Sequence, residues 1–225
     1  MFVKNWMRRE VITVSQDDTI LDAKHIMQEN GIRRLPVVDG NRLLGIITEK
    51  DIKEYSPSRA SSLDVYELKR ILAKTIVKDA MVQKVITVHP ETPIEKAVMI
   101  LRDKRFGGLP VVNDTGELVG IITAVDVFDI FVESMGFSHQ STRLAIMLED
   151  RKGALAEMTR IIDSHSLNIV SLATFFIKTG TGDFRDVVIR VNGEQSCIDS
   201  AVKDLRAADF NLSSVIDMND VMNDL

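Results

Sequence analysis

The chain of 225 residues is short of the features that announce most chemistries. It has a single cysteine, Cys197, which excludes an internal disulfide framework and any cysteine-based zinc cluster, and which suits a reducing compartment. No apolar run approaches the ~20 residues that span a bilayer. The first residues lack the apolar stretch of a signal peptide, so a cytoplasmic protein with no membrane partner is expected. An excess of positive charge is also missing: 28 basic against 33 acidic side chains give a net charge of −5. Residues 1–141 hold 19 basic and 20 acidic groups, and residues 142–225 hold 9 and 13. Neither part has the basic footprint that phosphate-backbone binding requires, so nucleic acid is not an expected partner.

Catalytic signatures are equally scarce. No Gly-x-Ser-x-Gly, Walker loop or Gly-x-Gly-x-x-Gly occurs. The four histidines, His25, His89, His139 and His165, are scattered without metal-ligand spacing, so no metal site is expected. His25 reads as partly buried helix packing, Met7, Met81 and Met99 as core filler, and Cys197 as an inert thiol with no base nearby in sequence. The expectation is a protein that is not an enzyme.

What is present is a duplication. Val11-Ile12-Thr13-Val14 recurs 74 positions later as Val85-Ile86-Thr87-Val88, and Leu35-Pro36-Val37-Val38 recurs as Leu109-Pro110-Val111-Val112. Gly45-Ile46-Ile47-Thr48 with Asp51 returns, offset by 75, as Gly120-Ile121-Ile122-Thr123 with Asp126. The slip falls in the turn, where Asp39-Gly40-Asn41 becomes Asn113-Asp114-Thr115-Gly116. Each copy reads as strand, helix, strand, turn, strand, helix. In the second copy Thr92-Pro93-Ile94-Glu95 predicts a helix start with Thr92 as N-cap. In the first, Ile20, Ala23 and Met27 share a face and Gly31 marks the stop. The paired β-branched runs around Asp-Gly and Thr-Gly read as hairpins. Between the copies an amphipathic helix is expected, with Val65, Leu68, Ile71 and Leu72 on one side and Ser61, Asp64 or Glu67 at its cap.

Residues after Ser141 match neither copy. Strands are expected at Arg143–Glu149, Asn168–Lys178, Phe184–Val191 and Leu212–Ile216, with helices at Ala154–Ser164 and Ser196–Ala208. The order βαββαβ is a ferredoxin-like unit. The chain is therefore expected to be α+β (mixed α/β), with repeats at 1–54 and 77–136, a linker at 55–76 and the third unit at 137–225.

On these residues the repeats resemble a tandem pair of CBS domains, packed as a pseudo-two-fold pair. The repeated Gly-Ile-Ile-Thr-x-x-Asp and the lead-ins Trp6-Met7 and Ala80-Met81 carry the resemblance. The third unit resembles an ACT domain, through Leu144–Glu149, then Asp150-Arg151-Lys152-Gly153-Ala154-Leu155-Ala156, and later His165-Ser166-Leu167-Asn168-Ile169. The combination is similar to AcuB-type acetoin-utilisation proteins.

A nucleotide site can be argued from the residues themselves. Thr48 with Asp51, and Thr123 with Asp126, lie where a strand hands over to a helix. A carboxylate there can accept two ribose hydroxyls, and the Thr hydroxyl and helix amides can meet phosphate. Ile12, Thr13, Val14 and Pro36, or Ile86, Thr87, Val88 and Pro110, would wall an adenine cleft. Thr-x-x-Asp is equally a helix cap, a role it fills with or without ligand. Arg33 and Arg34 stand where the second copy has Gly107 and Gly108, and read either as phosphate ligands or as a solvated strand edge. Two unequal sites are expected.

The CBS resemblance implies an adenosyl ligand, such as AMP, ADP or ATP, bound as a regulator rather than as a catalytic cofactor. The ACT resemblance implies either an amino-acid site at Asp150, Lys152, Gly153, Ala154, Leu155, Asn168 and Ile169, or a pairing module without ligand. Lys152 replaces the proline and Ser166 the glycine usual in that pattern. Both families commonly dimerise, so a homodimeric sensor is expected. The rival reading is a ligand-free module that regulates a partner enzyme, such as one in acetoin utilisation.

Overall fold

The computed structural model describes residues 1–55, 72–179 and 182–218, in two compact units, Met1–Phe128 and Asp129–Leu225. The expected linker helix lies mostly outside the described residues. Of its apolar stripe only Leu72 is described, and it is buried.

The first copy forms β1 (Val14–Ser15), α1 (Ile20–Glu29), β2 (Arg34–Asp39), β3 (Arg42–Thr48) and α2 (Glu49–Glu54). Helix α1 starts at Thr19, whose hydroxyl accepts the Asp22 amide at 3.1 Å while Asp22 accepts the Thr19 amide at 3.2 Å. This reciprocal cap satisfies two donors that the helix start would otherwise leave free. The face with Ile20, Ala23 and Met27 is buried against Leu35, Val37 and Ile47, and burying an Ile or Leu fully is worth about 1.5–3 kcal/mol. The helix ends at Asn30, and Gly31 follows at φ +63°, a left-handed position that costs glycine little. Strand β1 runs parallel to β2, and β2 pairs antiparallel with β3 around Gly40.

A short helix, α3 (Val77–Ala80), precedes the second copy, which has α4 (Ile94–Lys104), β4 (Gly108–Val112), β5 (Leu118–Thr123) and α5 (Ala124–Ser134). Several details differ from the sequence expectation. The first strand shrinks to one parallel bridge, Val88 to Val111. Thr92 does not cap α4: its hydroxyl accepts the His89 amide at 3.0 Å, and Pro93 is the N-cap residue, with no side-chain cap bond. The 74-residue offset explains this, because Pro93, not Thr92, aligns with the capping Thr19. His25 and Met99 are exposed rather than packed in the core.

The lead-in of each copy is exchanged. Arg8 and Ile121 trade backbone hydrogen bonds at 2.9 Å, as Val82 and Ile46 do at 2.9 and 3.0 Å. A Cβ on Gly120 would lie 2.7 Å from Met7 Sδ, and one on Gly45 would lie 2.6 Å from Met81 Sδ. Glycine lets each hairpin backbone approach the methionine of the other lead-in. Thr75 accepts the Ile20 amide at 2.9 Å and Met1 accepts the Ile94 amide at 3.2 Å, so each lead-in also reaches the helix start of the other copy. Val77 thereby belongs to the core around α1.

The second unit has β6 (Thr142–Glu149), α6 (Ala154–Ser164), β7 (Asn168–Thr179), β8 (Gly182–Asn192), α7 (Gln195–Ala207) and β9 (Asn211–Asp217). The order βαββαβ matches the expectation. Its antiparallel sheet has the strand order β7-β8-β6-β9. Leu144, Ile146, Val187 and Ile189 form one core with Met158 and Ile162 of α6 and Ile198 and Leu205 of α7. Alternation along β8 puts Arg190 on the other face, buried, with its guanidinium 4.6 Å from the Phe137 ring centre.

Candidate functional site

The exchange of lead-ins makes two clefts in the first unit, each of about 610 Å³ and each built from both copies. The first is lined by Thr48 and Asp51 of copy one and by Ile86, Gly108 and Pro110 of copy two. The second takes Thr123 from copy two and Ile12 and Pro36 from copy one. The candidate adenine wall of one copy thus faces the candidate ribose group of the other. Val14 and Val88 are buried, and neither they nor Thr13 and Thr87 line either cleft.

Both Thr-Asp pairs are helix caps. Asp51 Oδ2 accepts the Thr48 amide at 2.8 Å and its hydroxyl at 2.7 Å. Asp126 Oδ2 accepts the Thr123 amide at 2.7 Å and its hydroxyl at 2.6 Å. The clefts part company at the other oxygen. Among the described residues Asp51 Oδ1 accepts no hydrogen bond, so its two lone pairs remain for a ligand. Asp126 Oδ1 accepts Arg8 Nε at 3.0 Å, and Asp126 is only 5% exposed. It does not line its cleft.

Charge separates the clefts further. Lys84, Lys104, Arg105 and Lys50 rim the first. Their counterparts in the repeat are Glu10, Asn30, Gly31 and Val125, and of these Glu10, Gly31 and Val125 line the second cleft. Arg8, which latches Asp126, corresponds to Val82 in the first cleft. Arg33 and Arg34 line both clefts. Burial, and then the charge of Arg33, lower the Arg34 pKa below the ordinary guanidinium value. Arg8, Lys84, Lys104 and Arg105 escaped the sequence reading. The signal was there, since setting each charged residue against its repeat partner exposes the mismatches.

The ACT-like candidates are held in different local settings. Asp150 accepts Arg185 Nε at 2.7 Å, Lys152 is exposed, and Gly153 opens α6 at φ +89°. Asn168 pairs in register with Asn192, and Ile169 is 39% exposed. A cavity of about 300 Å³ lies between Glu149, Arg151, Phe184 and Phe210. Ala154 lines it, whereas Leu155 packs on the core. Arg151 is held there by Glu157 through both guanidinium Nη atoms. Ser166 sits at φ +57°, which explains why glycine suits that position. Among the described residues no group of three or more His, Cys, Asp or Glu could hold a metal ion, and no helix is long and apolar enough to cross a membrane.

Comparison with known proteins agrees with this architecture. The CBS domain family matches residues 3–58 and 77–133, and the TTHA0829-like ACT domain family matches residues 141–218. The chain belongs to the CBS domain family and carries a tandem CBS pair followed by an ACT domain. It is 31% identical over 134 residues to a CBS domain-containing protein of Dictyostelium discoideum, covering 59% of this chain and 92% of that one. It is 38% identical over 125 residues to inosine-5′-monophosphate dehydrogenase of Korarchaeum cryptofilum, covering 56% of this chain but only 23% of that enzyme. Among solved structures it resembles an acetoin utilization protein (AcuB) of Vibrio cholerae, with 30% identity and a TM-score of 0.50, over 59% of this chain and 90% of that one.

Proposed function

We propose that the chain is a non-catalytic regulator whose CBS pair binds an adenine nucleotide, with the first cleft as the principal site. The observation that carries this is Asp51, which lines that cleft with Oδ2 spent on the Thr48 cap and Oδ1 without a partner among the described residues. That oxygen can accept a pair of vicinal ribose hydroxyls. Ile86 and Pro110 lie across the cleft as apolar walls for a flat base. Arg33, Arg34, Lys84 and Arg105 supply the cationic end that phosphate needs. Nucleotide regulates to the extent that it prefers one arrangement of the two copies over another.

Calorimetry of the full chain, stripped of nucleotide, with AMP, ATP, NAD and S-adenosylmethionine tests this. Saturable binding at two sites that falls to one site in Asp51→Ala is expected. Absence of heat from all four ligands would overturn it. The reading of the chain as a ligand-free regulator of a partner enzyme is favoured by one observation, the Arg8–Asp126 pair that closes the second carboxylate. We assign the ACT domain to pairing of two copies. The large apolar side chains on its strand β7 support this, Leu172 being 40% and Phe175 51% exposed. A dimer by light scattering that Phe175→Asp turns into a monomer is the expected result.

A further inference from the structure

We infer, given nucleotide binding in the clefts, that Arg34 is an anion-binding group shared between them, so that a phosphate held by it in one cleft weakens binding in the other. In the repeat, Arg33 and Arg34 align with Gly107 and Gly108. A symmetric pair would give each cleft its own guanidinium at this position. Here one copy supplies the cation and the other supplies the space for it. The Arg34 guanidinium rests against Gly107, where an added Cβ would collide with its Nη2. From there it lines both clefts.

Arg34 is half-buried; its backbone pairs with Thr48 across β2 and β3, but among the described residues its guanidinium forms no hydrogen bond or ion pair. A desolvated guanidinium with unmet donors favours an anion beside it. Its planar fork serves one phosphate well, and two bound phosphates would have to divide it. Arg33 also lines both clefts but is exposed, so water screens its charge more than that of Arg34. The clefts are therefore coupled through one charge, and the coupling is reciprocal. Because Arg8 occupies Asp126 in the second cleft, the first takes Arg34 when nucleotide is scarce.

The test is calorimetry of the full chain with ATP. The wild type should bind in two steps, the second at least about tenfold weaker, the order expected for losing one charge-assisted contact. With the first cleft disabled by Asp51→Ala, the second cleft should bind about tenfold more tightly than in that second step. Arg34→Gln should weaken both clefts and remove the dependence of the second on the first. Gly107→Ala should do the same while keeping the arginine, since it only displaces a flexible side-chain tip. Arg34→Lys should restore part of the affinity without the bidentate fork. Equal second-cleft affinity whether the first is filled or disabled would overturn the coupling, as would unchanged binding in Arg34→Gln. Absence of binding to the wild type would instead overturn the nucleotide reading, and the coupling with it.

Discussion

The two clefts descend from one repeated pattern, share a volume of about 610 Å³, and differ in what surrounds one carboxylate. In both, one oxygen of the aspartate caps the helix that follows the hairpin. In the first cleft the other oxygen is open, and lysines and arginines rim the space. In the second it is bonded to Arg8, and the matching rim positions hold Glu10, Gly31 and Val125. A Thr-x-x-Asp motif is thus a helix cap first. In the proposed reading it serves a ligand only where the neighbouring lead-in leaves half of the carboxylate unused.

The largest expected difference follows from removing the aspartates. Asp51→Ala should weaken binding at the first cleft by about tenfold or more, because contacts to a charged acceptor are worth about 1.5–3 kcal/mol. Asp126→Ala should change the first binding step little and lower stability by about 1–2 kcal/mol through the lost cap. Calorimetry and urea denaturation measure the two, and equal binding losses would erase the distinction between the clefts.

Transplanting the latch sharpens the comparison. Val82→Arg puts at the first cleft the residue that occupies Asp126 in the second, and should weaken the first step several-fold. Arg8→Ala should do the reverse, freeing Asp126 Oδ1 and tightening the second step by about two- to fivefold, the scale of an ion pair with one partner exposed to solvent. Unaltered titrations in both variants would show that the Arg8–Asp126 pair has no bearing on ligand. The rim comes next. Lys84→Glu copies Glu10 into the first cleft, and should lower affinity about threefold and flatten its salt dependence, because exposed charges are screened. Binding that keeps its full salt slope in this variant would assign the slope to other groups.

The smallest effect concerns strain. Arg105 lies at φ +54° at the end of α4, where the first copy has Gly31 at φ +63°. A left-handed non-glycine residue costs about 1 kcal/mol, and Arg105 lines the first cleft in spite of that cost. Arg105→Gly should raise unfolding stability by up to about 1 kcal/mol while binding nucleotide about twofold more weakly. A variant that is less stable than the wild type would show that the Arg105 side chain contributes packing instead.

Much of this was legible from the residues alone. Three repeated blocks with a slip confined to a turn predicted two like units, and Ile20, Ala23 and Met27 lie on the buried face their spacing implies. The βαββαβ order after Ser141 is present strand for strand. Those features follow from local periodicity, turn chemistry and capping, which act over a few residues. The misplaced cap at Thr92 was an error of one position, and the repeat offset holds the correction. His25 and Met99 show the limit of periodicity, since an apolar or aromatic side chain in a helix need not face the core.

The sequence by itself determined that there are two similar units, which motifs cap their helices, and that their charged positions disagree. Only the tertiary structure decided that the lead-ins are exchanged, and from that the rest of the site follows. Exchange sets Ile86 and Pro110 opposite Asp51, brings Arg8 to Asp126, and lays Arg34 over Gly107 so that one guanidinium borders both clefts. These are contacts between residues about 35 to 120 positions apart. They depend on how packed backbones meet, which no short stretch of sequence encodes.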